Sequence, residues 1–144
     1  MNDVASVQNG DDHFVLNTGS PHYVSQVNNV MALDVVKQGR AVRYSDAFAK
    51  EGINVNFVEK TGNAEGIIVR TYERGVEDET FSCGTGVTAA ALVSHPATEG
   101  MATVAVQTKG GNLEVKFEKT ASGYQNIWLI GPAVKVFEGE VEMA

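Results

Sequence analysis

Only one cysteine, Cys83, occurs in the 144 residues. An internal disulfide is therefore excluded. Three scattered histidines (His13, His22 and His95) and that one thiol match no usual zinc-ligand spacing, so no metal site is expected. No apolar run approaches the length of a membrane-spanning helix, and no secretory leader is evident, so the chain reads as cytoplasmic. Basic residues are also scarce. Eleven Lys and Arg stand against eighteen Asp and Glu, a net charge of −7. That balance argues against nucleic acid and anionic membranes as partners. It leaves room for a small anionic substrate, because a local cradle can oppose the global field.

What is present describes an ordinary globular protein, 43% hydrophobic and 20% charged. One domain, residues 1–144, is expected. A chain of this length buries roughly 68–70% of its unfolded surface and needs no covalent staple.

The pattern along the chain is mostly β. Residues 1–12 are polar, with a turn at Asn9-Gly10-Asp11-Asp12. Strands are expected at 13–16, 23–27, 53–59, 67–72, 103–108, 113–118, 124–130 and 134–141. A short helix is expected over 32–38 with Gly39 as its stop, and a helical turn over 45–50. Residues 85–93 read as a helix nearly free of charge all the way round, which predicts burial. The fold class that follows is α+β, a curled and mostly antiparallel sheet wrapped around one central buried helix. Trp128 and the six phenylalanines are assigned to the core.

The segment from Thr71 to His95 carries the chemistry. Cys83 is followed at once by Gly84-Thr85-Gly86 and then by the apolar helix. A helix mouth points backbone N–H groups outward, which lowers a thiol pKa and holds a carboxylate. The two glycines let a ligand approach, and Thr85 can cap the helix or donate to a ligand. Set against this is a buried structural thiol in a glycine-rich turn. Glu73 and Arg74 read either as a solvated pair at a strand end or as holders of an ammonium and a carboxylate. His22, in a turn, reads by itself as a surface residue. Asn54 and Asn56 alternate with Ile53, Val55 and Phe57, the polar face of an edge strand.

Several pieces together resemble the diaminopimelate epimerase family. They are Gly19-Ser20-Pro21-His22, Ile53-Asn54-Val55-Asn56-Phe57, Arg70-Thr71-Tyr72-Glu73-Arg74-Gly75, Glu79-Thr80-Phe81-Ser82-Cys83-Gly84-Thr85-Gly86 and Gly131-Pro132-Ala133. Their order matches the second half of that enzyme. The resemblance implies a cofactor-independent isomerase that interconverts LL- and meso-diaminopimelate on the route to lysine. It implies two similar halves, one cysteine from each, and substrate in the cleft between them. Carried across, Cys83 is the second catalytic cysteine, and His22 and Glu73 adjust thiol pKa values. Asn54, Glu73 and Arg74 contact the distal end of the substrate, and Gly84 and Thr85 the reacting α-carboxylate. Ser20 stands where the family commonly has asparagine, giving a shorter reach to substrate. The loop between Gly75 and Glu79 is one residue longer than expected.

The resemblance also implies a missing N-terminal domain, because one cysteine cannot stand on both faces of a Cα carbon. The chain alone is then expected to be inactive, and its uncovered face would favour a homodimer. Two rival readings stay open: another cofactor-independent racemase of the proline racemase kind, and a non-catalytic small-molecule binding domain with a structural thiol.

Overall fold

The structure, a computed structural model, describes residues 1–62, 66–96 and 98–144. The strands are β1 (Gln8–Asn9), β2 (His13–Asn17), β3 (Pro21–Gln26), β4 (Asn54–Lys60), β5 (Gly66–Glu73), β6 (Asp78–Thr80), β7 (Gly100–Thr108), β8 (Gly111–Thr120) and β9 (Gly123–Ile130). Two α-helices interrupt them, α1 (Val35–Arg43) and α2 (Gly84–Ser94), with a short 3-10 turn at Val30–Ala32. All nine strands form one sheet in the order β1-β2-β3-β4-β5-β7-β8-β9, with β6 added beside β5. Among the described residues, only β3–β4 and β5–β7 pair in parallel; the other pairs are antiparallel. The expected α+β class, a curled and mostly antiparallel sheet around a buried helix, is what the chain forms.

Helix α2 is that central helix. Ala and Leu give it helical propensity. Pro96 ends it by forcing His95 into an extended conformation (φ −75°, ψ 143°). Val87, Ala89, Ala90, Ala91 and Leu92 are all fully buried. They pack with Leu16, Val24, Val58, Val69, Val106, Val115 and Phe117 on the sheet's inner face. A second helix covers the opposite face. There Val35 joins Val30, Ile53, Val55, Phe57 and Tyr72 in a separate apolar cluster.

Three expectations need correction. Helix α1 does not stop at Gly39 but runs through it to Arg43. Its start is set by Asp34, whose side chain accepts from the Lys37 N–H at 3.0 Å. Gly39 is there for contact, because a Cβ on it would collide with the Tyr72 ring. Second, residues 134–141 form no strand, and 131–144 carry no regular element. Their alternation of Val134, Val136 and Val141 with charged residues suits a sheet edge, yet no described strand pairs with them. Third, Trp128, Phe81 and Phe137 lie outside the core, 65%, 73% and 86% exposed. Trp128 pairs with Lys116 on the outer face of the β7–β8–β9 end, which no described helix covers.

Candidate active site

The β3–β4 pair aligns His22 with Asn54, and Val24 with Asn56. Strand β4 is central, flanked by β3 and β5, and not the edge strand expected. Its odd-numbered residues face α1, and Asn54, Asn56 and Val58 face α2. Two polar side chains are thereby sealed under a helix, where each must find partners.

They do. Asn56 Nδ2 donates to the Tyr23 carbonyl at 3.0 Å and lies 3.0 Å from His22 Nδ1. Asn56 Oδ1 accepts from the Thr71 hydroxyl at 2.9 Å. Asn54 Nδ2 donates to the Pro21 carbonyl at 3.0 Å and to Ser20 Oγ at 3.3 Å. Asn54 Oδ1 accepts from the Arg74 N–H at 2.9 Å. His22 itself is completely buried, contrary to the surface reading of its turn. Its Nε2 faces Thr85 Oγ1 at 2.8 Å and Ser20 Oγ at 3.0 Å. Burial first, and then the positive charge of Arg74, push its pKa down to about 4.

Cys83 is the N-cap residue of α2, in extended conformation, and is half-buried. The first intrahelical bond runs from Val87 N–H to the Cys83 carbonyl at 2.8 Å. The N–H groups of Gly84 and Thr85 precede it and point out of the helix mouth. Thr85 is not the cap expected. It lies one residue inside the helix, its hydroxyl 3.6 Å from Cys83 Sγ and 3.1 Å from Ser20 Oγ. The Thr18 hydroxyl fixes that turn by donating to the Thr85 carbonyl at 2.7 Å.

Glu73 ends β5 on the same face as Thr71, half-buried. Among the described residues its carboxylate has no hydrogen-bond or ion-pair partner. The Arg74 guanidinium donates to the Glu51 carbonyl at 3.0 Å and meets no described carboxylate. The loop after them is held by Glu77, at φ 58°. Glu77 accepts from Tyr72 OH at 2.9 Å, Arg43 Nε at 3.1 Å and the Gly75 N–H at 3.2 Å.

The structure thus brings Ser20, His22, Asn54, Thr85 and Cys83 into one connected cluster, with the Arg74 backbone tied to it through Asn54. Asn56, Thr71 and Thr18 complete it and were missed as site residues. Their signal was the pair of asparagines at alternate positions in an otherwise apolar strand. Cavities of about 460 Å³ (lined by Val4, Phe14, His95 and Tyr124, among others) and about 410 Å³ (at Leu113, Ile130 and Pro132) lie elsewhere on the sheet. Neither is lined by Cys83 or His22.

A sequence model described as Diaminopimelate epimerase matches residues 14–136. A diaminopimelate epimerase of Flavobacterium psychrophilum is 44% identical over 139 residues, covering 96% of this chain and 54% of that protein. The Aquifex aeolicus diaminopimelate epimerase is 43% identical over 129 residues, covering 88% of this chain and 44% of its own length. The chain spans about half the length of the curated relatives it matches. The solved structure of a predicted epimerase from Pseudomonas aeruginosa superposes with a TM-score of 0.54 at 13% identity, covering 75% of this chain and 36% of that one. That likeness speaks for the fold alone. With a match that runs from residue 14 to residue 136 and encloses every residue of the cysteine cluster, the chain belongs to the diaminopimelate epimerase family.

Proposed function

We propose that this chain is one half of a cofactor-independent epimerase that interconverts LL- and meso-diaminopimelate, a cytoplasmic enzyme on the route to lysine. The observation that carries the reading is Cys83 at the mouth of a buried helix, with a hydroxyl 3.6 Å from its sulfur. Among the described residues no helix is long and apolar enough to cross a membrane.

The chemistry follows from the weakness of the Cα–H acid. A carbanion forms only if base, acid and charge stabilisation are all in place beforehand. In one direction the Cys83 thiolate takes the Cα proton and becomes a thiol. A second thiol, from outside this one-cysteine chain, gives its proton to the opposite face and becomes a thiolate. The N–H groups of Gly84 and Thr85 hold the α-carboxylate, where negative charge builds as the proton leaves. Glu73 and Arg74 bind the distal ammonium and carboxylate. Both are free of charged partners among the described residues, which favours a two-headed substrate over proline. A half-buried Cys83 at the helix mouth is what one wall of a cleft between two halves would present. A buried structural thiol accounts less well for Cys83, which is only half-buried and has a polar neighbour.

The test uses the product of the complete reading frame that encodes these residues. In D2O, LL-diaminopimelate should gain deuterium at Cα and yield the meso form, and Cys83→Ala should abolish both. Residues 1–144 alone should do neither. A wild-type product that leaves the Cα proton unexchanged overturns the proposal.

A further inference from the structure

We infer that Asn56 is a positioning residue: it fixes His22 as a neutral Nε2–H donor, and this leaves the Thr85 hydroxyl proton directed at the Cys83 sulfur. The inference rests on reading Cys83 as the reactive group, but the hydrogen-bond logic stands on geometry.

A carbonyl oxygen only accepts. The Tyr23 carbonyl therefore fixes which end of the Asn56 amide is nitrogen. That same nitrogen lies 3.0 Å from His22 Nδ1. An amide NH2 has no lone pair to offer, so Nδ1 must accept and carries no proton. On the other side, Thr71 donates to Asn56 Oδ1 and holds the amide against rotation. A neutral imidazole has one N–H, and it is left at Nε2. Protonating Nδ1 as well would set N–H against N–H in a site closed to water. The lowered pKa has the same direction.

The consequence passes to Thr85. With Nε2 protonated, neither nearby hydroxyl can donate to the ring, and both must send their protons elsewhere. Asn54 is fixed by the Pro21 carbonyl and donates to Ser20 Oγ. His22 donates to Thr85 Oγ1 at 2.8 Å, and Ser20 Oγ lies 3.1 Å from the same oxygen. A thiolate sulfur only accepts, so when Cys83 is ionised the Thr85 hydroxyl is the donor between them. The Thr85 oxygen lies 3.6 Å from Cys83 Sγ, and the negative charge there draws its single proton. A chain of contacts thus runs from the buried Asn56 through His22 and Thr85 to the sulfur. A hydrogen bond donated to the thiolate favours the charged form. In this arrangement His22 tunes Cys83 as a neutral donor through Thr85, with no imidazolium involved.

The experiment needs only residues 1–144. In a sample labelled with ¹⁵N-histidine, His22 is assigned by its loss in His22→Gln. Its Nδ1 should show the pyridine-type shift and Nε2 the pyrrole-type shift at neutral pH. In Asn56→Asp the carboxylate accepts from Nδ1–H, so the proton should move to Nδ1. Iodoacetamide alkylation of Cys83 at fixed pH should then slow on the order of tenfold, the scale of a lost hydrogen bond to a charged group. Thr85→Val should slow alkylation similarly while leaving His22 in the same tautomer. That second variant keeps the test decisive if Asn56→Asp does not fold. A wild-type His22 protonated at Nδ1, or Thr85→Val alkylated as fast as wild type, overturns the inference. Neither readout involves epimerisation, so failure of the diaminopimelate reading is separately visible.

Discussion

Gly86 of α2 lies so close to Asn56 that a methyl group on its Cα would overlap Asn56 Oδ1 and crowd the His22 ring. Glycine inside a helix ordinarily costs up to about 1 kcal/mol relative to alanine. Here the sign inverts. Gly86→Ala should destabilise the fold by about 1–3 kcal/mol, the usual range for overpacking. Urea denaturation measures it, and a stabilised variant would show that α2 can move away from β4 at no cost.

His22 makes a second prediction through linkage. Its ordinary value is about 6.5, and burial holds it at about 4 in the folded chain. Between those values the unfolded chain takes up a proton that the folded chain refuses. Stability is therefore complete above the ordinary value and falls as the pH drops through the window toward 4. Between pH 7 and pH 5 the wild type should lose about 2 kcal/mol more than His22→Gln does. The comparison isolates His22, because every other titratable group is present in both proteins. Parallel stability curves would mean that His22 is solvated or already charged in the folded state.

The architecture was legible because it rests on local pattern. The charge-free run of residues 87–92 could only be a core helix, and the two glycine turns near residues 110 and 123 spaced the last strands. The errors arose where a residue's role depends on what lies across from it. Gly39 looks like a helix stop until Tyr72 is placed against it. Residues 134–141 alternate like a strand, but alternation supplies one face and no partner. The same limit applied to the site. Cys83, Glu73 and Arg74 stood out as unusual residues in a suggestive order. Asn56 and Thr71 did not, because only the knowledge that β4 is central turns a polar residue there into a buried one that must be paired.

The loop that carries Arg74 depends on Glu77. Burial alone would raise the Glu77 carboxyl, but the Gly75 N–H, Tyr72 OH and Arg43 outweigh it and hold the carboxyl below the usual range. Glu77→Gln keeps the shape and removes the charge, so the Arg43 and Tyr72 bonds become neutral or geometrically wrong. A loss of about 1–2 kcal/mol is expected, from the difference between charged and neutral hydrogen bonds. Thermal unfolding compared with Tyr72→Phe would separate the contributions. Each variant should destabilise, and the double variant should cost less than the sum of the two. Strict additivity would show that Tyr72 and Glu77 do not share a network.

The last residues give a prediction in the opposite sense. Val134, Val136, Phe137, Val141 and Met143 are each at least 80% exposed. An apolar side chain that buries nothing contributes nothing to the folded state, whatever its hydrophobicity. Truncation after Pro132 should therefore leave stability unchanged to within about 0.5 kcal/mol. The same side chains form exposed apolar surface, which drives association in water. Sedimentation should show the full chain self-associating at high concentration and the truncated chain doing so less. A large stability loss on truncation would place the segment against the sheet. A strictly monomeric full chain would mean that this apolar run is too short or too mobile to hold a second copy.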